Sequence, residues 1–261
     1  MRILCIGDIM GEPGRKAVRH ILPKLMQKEK IDFVVANGEN LAGGFGLTED
    51  GCKEMFSAGV DVITGGNHSW DKKDIIPFME QEPRILRPAN YSLAAGAGHI
   101  LATARSGAKV GVVNVMGRVF MYPLENPFTM AMELLKQLRR DTRILVVDIH
   151  AEATSEKQAI GWHLNGHCSI VFGTHTHVQT ADERILPGGT AFITDAGLTG
   201  PLDSVIGMKK EFAIERFLTG MPTRLEVAKG NTKLQALLVD IDDESGRATA
   251  VKRIQEPYVP Q

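Results

Sequence analysis

Five short strings, each directly after an apolar run of strand-like composition, constrain this chain more than any other feature. They are Gly7–Gly11 (GDIMG), Asn37–Asn40 (NGEN), Gly65–Asp71 (GGNHSWD), Asp148–Glu152 (DIHAE) and Gly173–His177 (GTHTH). Together they set Asp8, Glu39, Asn40, Asn67, His150, His175 and His177 at strand ends. Carboxylate, amide and imidazole are donors that iron, manganese and zinc accept. Open α/β sheets gather such groups at the carboxyl ends of their strands. The strings in this order predict an α/β fold carrying a two-metal hydrolytic site.

The first 65 residues alternate between strand and helix. Arg2–Gly7, Ile31–Ala36 and Val60–Thr64 read as strands, and Pro13–Lys30 and Thr48–Ala58 as helices. Pro13 suits a first helical turn, Thr48 an N-cap and Gly59 a stop. A βαβαβ order gives parallel strands joined by right-handed crossovers. Beyond Asp71 the pattern predicts a short helix over 73–80, strands at 99–105 and 109–116, and a loop over 117–127. A helix over 128–140, a strand at 143–149, a helix over 155–164 and a strand at 169–173 follow. The remainder reads as β-rich, with strands at 190–194, 223–228, 233–242 and 249–255, the last two joined by a hairpin turn over Asp243–Gly246. With no repeat or linker-like tract, one domain over residues 1–261 is expected, with two packed sheets, outer helices and a small cap insertion at about 117–140.

Composition narrows the function classes. Lys plus Arg number 30 against 31 Asp plus Glu, a net charge of −1, which excludes the global basic field of a non-specific nucleic-acid binder. Cys5, Cys52 and Cys168 form no CxxC pair and fit a reducing compartment, with Cys5 buried in the first strand. The N-terminal Met1–Ile6 lacks signal-peptide anatomy, and no apolar run approaches transmembrane length. A cytoplasmic location and no membrane partner are expected.

Each string alone has a bland alternative: Asp8 as a helix cap, NGEN as a turn, Asn67-His68 as a turn asparagine and a structural histidine. Their joint occurrence favours the metal reading. A carboxylate with one oxygen for each of two cations suits Glu39 as a bridge. Asn40 and Asn67 would ligate through their amide oxygens, and Gly65 and Gly66 permit unusual backbone angles beside them. In an extended segment residues i and i+2 share a face, so His175 and His177 would reach neighbouring ions. His68 is left beside the metals and free for proton transfer. His20, His99, His163 and His167 are read as surface or packing residues, Trp162 as core and Trp70 as a pocket wall. Arg118 is a candidate phosphate contact, and Phe120 or Tyr122 a platform for a base, against the alternative of a solvent-facing arginine and packed aromatics. Asp195 and Thr199 are assigned no role.

At these residues, and over essentially its whole length, the chain resembles the calcineurin-like metallophosphoesterase superfamily. Within it, the chain is most similar to the YmdB-type branch of bacterial cyclic-nucleotide phosphodiesterases. The stretches that carry the resemblance are Gly7–Arg15, Asn37–Thr48, Gly65–Asp71, Asp148–Lys157 and Gly173–Pro201. It implies a four-layer αββα sandwich with two central mixed sheets. It also implies two divalent or trivalent transition-metal ions, iron first, with manganese or zinc as alternatives. One ion would be held by Asp8, Glu39, Asn40 and His177, the other by Glu39, Asn67, His150 and His175, with unligated His68 as the general acid. The implied substrates are 2′,3′-cyclic nucleotides such as 2′,3′-cyclic AMP, and the implied assembly is a homo-oligomer, dimer or tetramer. Two cations about 3.5 Å apart bring the pKa of a bridging water towards neutrality, so a bridging hydroxide would attack phosphorus while His68 protonates the leaving ribose oxygen.

Two departures from the superfamily pattern stand out. Its Asp-x-His start is here Asp8-Ile9-Met10, and its bridging aspartate is Glu39. The position of the aspartate that often orients the catalytic histidine is Ala42, which leaves Asp71 or a backbone carbonyl to orient His68. A nuclease or phosphomonoesterase on the same site is one alternative, although the near-neutral charge speaks against a long nucleic-acid groove. Another is a regulatory protein of RNA turnover that binds a ribonuclease or RNA, with hydrolysis secondary.

Overall fold

Successive side chains of β1 (Arg2–Ile6) point to opposite faces, and both faces are apolar: Ile3 and Cys5 on one side, Leu4 and Ile6 on the other. A strand buried on both faces has to lie between two layers. The computed structural model, which describes residues 1–259, shows what those layers are. The chain continues through β2 (Asp8–Ile9), α1 (Gly11–Glu29), β3 (Phe33–Asn37), α2 (Glu49–Ala58), β4 (Val62–Thr64), a 3-10 turn (Lys73–Ile75) and α3 (Ile76–Gln81). Next come β5 (Ile85–Leu86), β6 (His99–Thr103), β7 (Lys109–Met116), α4 (Pro127–Leu138), β8 (Leu145–His150), α5 (Thr154–His163) and β9 (Ile170–Thr174). The last elements are β10 (Arg184–Ile185), β11 (Ala191–Ile193), β12 (Leu198–Pro201), α6 (Lys210–Thr219), β13 (Thr232–Ile241) and β14 (Ala248–Pro257).

The strands form two mixed sheets. One runs β2-β12-β13-β1-β3-β4-β5 with β14 paired to β13, and the other runs β10-β11-β9-β8-β7-β6. Within the first, β1, β3, β4 and β5 are parallel, and β13 closes the other side of β1 antiparallel. Within the second, β7, β8, β9 and β11 are parallel, and β6 and β10 form antiparallel edges. The inner faces meet where Ile3, Cys5, Phe33 and Val35 pack on Val112, Val146, Ile170 and Phe172. On the outer faces, Leu4, Ile6 and Val34 pack on Val18 and Leu22 of α1 and Met55 of α2. Val147 and Ile149 likewise pack on Leu135 of α4 and Ile160 of α5. The result is the αββα order of layers expected from the resemblance.

Local signals act as their chemistry requires. The Thr48 hydroxyl accepts the Gly51 N–H at 3.3 Å to open α2, and Gly59, at φ 111°, closes it. In the β13–β14 hairpin, Asp242 accepts the Ser245 N–H at 2.9 Å, within the expected turn. Helix α4 is the crossover between β7 and β8 and packs on both, while residues 117–126 are irregular. Among the described residues, no helix is long and apolar enough to cross a membrane.

One expected strand is absent from the last third, one helix there is unexpected, and Trp162 is not where it was expected. No strand forms over 223–228; a single bridge pairs Val227 with Met208, and the preceding stretch is helix α6. Pro222 lacks a backbone donor for a ladder. Helix α6 was hidden because it buries only Ala213 and leaves Ile214, Phe217 and Leu218 exposed, so no apolar stripe marks it. Trp162 is half exposed rather than core, with the Arg184 guanidinium 5.5 Å from its ring.

Candidate active site

The carboxyl ends of β1, β3 and β4 in one sheet and of β8 and β9 in the other open on the same cleft. Asp8 follows β1, Glu39 and Asn40 follow β3, Asn67 follows β4, His150 ends β8, and His175 and His177 follow β9. All seven come together. The Nε2 of His150 lies 3.3 Å from Glu39 Oε1, 3.1 Å from Asn67 Oδ1 and 3.0 Å from His175 Nδ1. On the other side, His177 Nε2 lies 3.6 Å from Asp8 Oδ1 and 3.2 Å from the Asn40 amide. Glu39 belongs to both groups. Donor atoms of Glu39, His150 and His175 lie within 4.8 Å of one another, and so do those of Asp8, Glu39 and His177.

Hydrogen bonds behind the cleft decide which ring nitrogens face it. The Ile206 carbonyl can only accept, so Nδ1 of His177 carries a proton towards it at 2.8 Å and Nε2 is the nitrogen that faces Asp8 and can exchange its proton for a cation. Thr174 gives its hydroxyl proton to buried Asp148 at 2.8 Å and accepts from Nδ1 of His150 at 2.9 Å. Glu152 holds Nε2 of His175 at 3.1 Å. Nε2 of His150 and Nδ1 of His175 therefore face each other at 3.0 Å with room for one proton between them, a position that a shared cation can take instead.

The carboxylates call for positive charge. Asp8 and Glu39 are both buried, and Asp8 Oδ1 has no hydrogen-bond partner among the described residues. An ionised oxygen stripped of water and unpaired is costly. Burial opposes the charge on both carboxyls, yet facing imidazoles hold them below the usual range, Glu39 at about 2 through His150. His177, in spite of burial, is raised to about 9 by Asp8, whereas burial and the neighbouring His150 push His175 down to about 3. Burial also pushes the Asp148 carboxyl up to about 7. The donor set thus fits two cations: each group offers carboxylate oxygen and imidazole nitrogen, and an orphaned buried oxygen awaits a partner. Gly66 leaves room for them, since a Cβ there would overlap Oε2 of Glu39 and Nε2 of His150.

His175 and His177 reach the cleft by a different backbone route than an extended segment. Both have positive φ, 95° and 62°, so the segment is a strap that turns left-handed at each histidine. For non-glycine residues this conformation costs about 1–3 kcal/mol each and persists only where the surroundings over-determine it. The His175 N–H donates to Asp8 Oδ2 at 3.0 Å, which is one such restraint.

His68 stands at the rim, about one-third exposed. Its Nδ1 is 2.8 Å from Asp71 Oδ2, so Asp71 takes the orienting place that Ala42 leaves empty. The backbone N–H of His68 donates to Glu39 Oε2 at 3.0 Å. The aromatic ring against His68 is Phe45, edge-on at 5.0 Å, while Trp70 turns away to pack on Tyr91. Phe120, Met121 and Tyr122 join Asn67 and His175 around a cavity of about 350 Å³. Phe120 is 90% exposed and strained at φ 61°. Arg118 is exposed, and its backbone N–H and that of Val119 donate to the buried Glu156 carboxylate at 3.0 Å and 3.2 Å. Glu152, Glu156, Asp148, Thr174 and Phe45 were not singled out in sequence. Glu152 and Glu156 lie within the DIHAEATSEK stretch that carries the resemblance, but no local signal assigns them a part in the site.

The family described as YmdB-like protein matches residues 4–254. The 2′,3′-cyclic-nucleotide 2′-phosphodiesterase of Bacillus subtilis (strain 168) is 48% identical over 254 residues, covering 97% of this chain and 96% of that protein. The chain belongs to the YmdB-like family. A putative phosphatase/phosphodiesterase of Mycoplasma pneumoniae is 34% identical over 263 residues, covering 98% of this chain and 92% of that protein. Among solved structures, a hypothetical protein from Thermus thermophilus superposes with a TM-score of 0.92 at 41% identity, covering 98% of this chain and 99% of that one. A Mycoplasma pneumoniae structure titled as a novel phosphatase gives 0.92 at 34% identity, covering 98% of this chain and 93% of that one. These two solved structures share the two-sheet architecture described above.

The cradle at Gly66 generates a prediction. Gly66→Ala drives a methyl between Glu39 and His150, so bound manganese per chain, measured by atomic emission after dialysis, should fall well below that of the unsubstituted protein. Unchanged metal content would contradict the close packing of the site.

Proposed function

We propose that this YmdB-like chain is a two-metal phosphodiesterase that opens 2′,3′-cyclic nucleotides, 2′,3′-cyclic AMP among them, to 3′-monophosphates. The observation that carries the reading is the pair of donor groups sharing Glu39. The Bacillus subtilis relative, named for cleavage at the 2′ position, supports the substrate class. Breaking the bond from phosphorus to the 2′-oxygen leaves phosphate on the 3′-oxygen, which fixes the expected product.

In this reading Asp8, Glu39, Asn40 and His177 hold one ion, and Glu39, Asn67, His150 and His175 hold the other. Bound ions, iron first and manganese or zinc as alternatives, supply Lewis acidity to the phosphoryl group and activate water for attack. Asp71 fixes the His68 ring through Nδ1 and leaves Nε2 to deliver a proton to the departing 2′-oxygen. Phe120 and Tyr122 offer aromatic faces to the base, and Glu156 steadies the backbone that carries them. Arg118, from the same loop, is proposed as a phosphate contact. Free, buried Cys5, Cys52 and Cys168 suit a reducing compartment, and the cytoplasm is the proposed location. A homo-oligomer of one-domain chains is the proposed assembly.

Metal-replete protein should convert 2′,3′-cyclic AMP to 3′-AMP, resolved by chromatography. A 2′-AMP product would reverse the assigned leaving group, and onward loss of phosphate to adenosine would favour the monoesterase reading suggested by the Mycoplasma names. His68→Ala should lower kcat by roughly 10²–10⁴-fold while metal content stays unchanged. Full turnover in that variant would remove His68 from the mechanism.

A further inference from the structure

Lys157 and Asp195 are fully buried, and Nζ lies 2.6 Å from Oδ2. Neither side chain is among the metal donors. Buried ion pairs are weak stabilisers, because desolvation offsets attraction, and apolar replacements often serve stability as well. A lysine in the first turn of α5 also opposes the helix dipole. Stability therefore gives no reason for this pair, and its contacts suggest another.

The same Asp195 Oδ2 that meets Lys157 accepts two hydrogen bonds from Thr176, from its hydroxyl at 2.6 Å and its backbone N–H at 3.2 Å. Thr176 is the middle residue of the strap that carries His175 and His177. Asp195 is itself fixed: its Oδ1 accepts the Gly197 N–H at 2.8 Å, and its backbone N–H donates to Thr180 at 3.0 Å. Lys157 runs along β9 to reach it, and a Cβ on Gly173 would lie 3.0 Å from Lys157 Cδ. Asp195 thus holds the strap from below by its centre, while Asp8 and Ile206 hold its two ends through His175 and His177.

We infer that the Lys157–Asp195 pair is a positioning device that, acting through Thr176, holds His175 and His177 in the conformation that binds metal. The inference rests on the two-metal reading above. Lys157 neutralises the buried carboxylate, and Asp195 supplies the acceptors that make the strained strap the preferred state before any ion arrives.

The test is Mn²⁺ titration of the metal-stripped full-length protein by calorimetry, with thermal unfolding of the same stripped samples. Thr176→Val removes the hydroxyl without unpairing a charge, and Thr176→Ser retains it. The double variant Lys157→Met/Asp195→Asn removes both buried charges together. Thr176→Val and the double variant should bind Mn²⁺ roughly 10–100-fold more weakly, the range for loss of a partner behind a ligand. Thr176→Ser should bind like the unsubstituted chain, and unfolding of stripped Thr176→Val should not shift to match its loss of affinity. If the double variant does not fold, the valine–serine comparison decides alone. Mn²⁺ affinity in Thr176→Val equal to that of the unsubstituted chain would overturn the inference. Failure of the unsubstituted chain to bind Mn²⁺ would instead overturn the two-metal reading, and this inference with it.

Discussion

Two carboxylates out of reach of water, Asp8 and Glu39, are the constraint on which the rest of this structure depends. Each is buried at the open end of a sandwich whose two sheets meet through an apolar core. Hydrogen bonds account for part of their charge: Asp8 receives the His175 N–H, and Glu39 receives the His68 N–H. The remaining oxygens face imidazole nitrogens, Asp8 Oδ1 that of His177 and Glu39 Oε1 that of His150. Such a cluster is chemically suited to cations, and the layers around it supply the rigidity to keep its side chains aimed.

The sandwich does this by bringing two sets of parallel strand ends to one edge. Strands β1, β3 and β4 contribute the carboxylates and amides, whereas β8 and β9 contribute the imidazoles. The site is therefore a seam between sheets, which pack on each other through Phe33 and Phe172 among others. Behind the donors, Thr174 and Asp148 set the His150 tautomer, Ile206 that of His177, and Glu152 that of His175. Helix α5 serves both walls from adjacent residues, Glu156 towards the loop of Phe120 and Lys157 towards the strap.

Much of this was legible in the chain because strand ends have local signatures. The βαβαβ opening announced itself through apolar runs, a threonine cap and a glycine stop, and the donors could be read off the positions that follow each run. What stayed hidden is long-range. Asp195 is separated from Thr176 by 19 residues, and nothing local marks it as the anchor of a strap. The period-two argument brought His175 and His177 to the right place by the wrong backbone, since only the fold reveals their positive φ. Helix α6 was missed for the opposite reason: it is exposed, so its apolar residues follow no core-facing stripe.

Anomalous diffraction from crystals of the manganese-loaded protein, recorded above and below the metal edge, addresses the central claim most directly. The account predicts two peaks about 3.5–4 Å apart. Glu39 should lie between them, with Asp8 and His177 around one and His150 and His175 around the other. A single peak, or peaks away from Glu39, would contradict it.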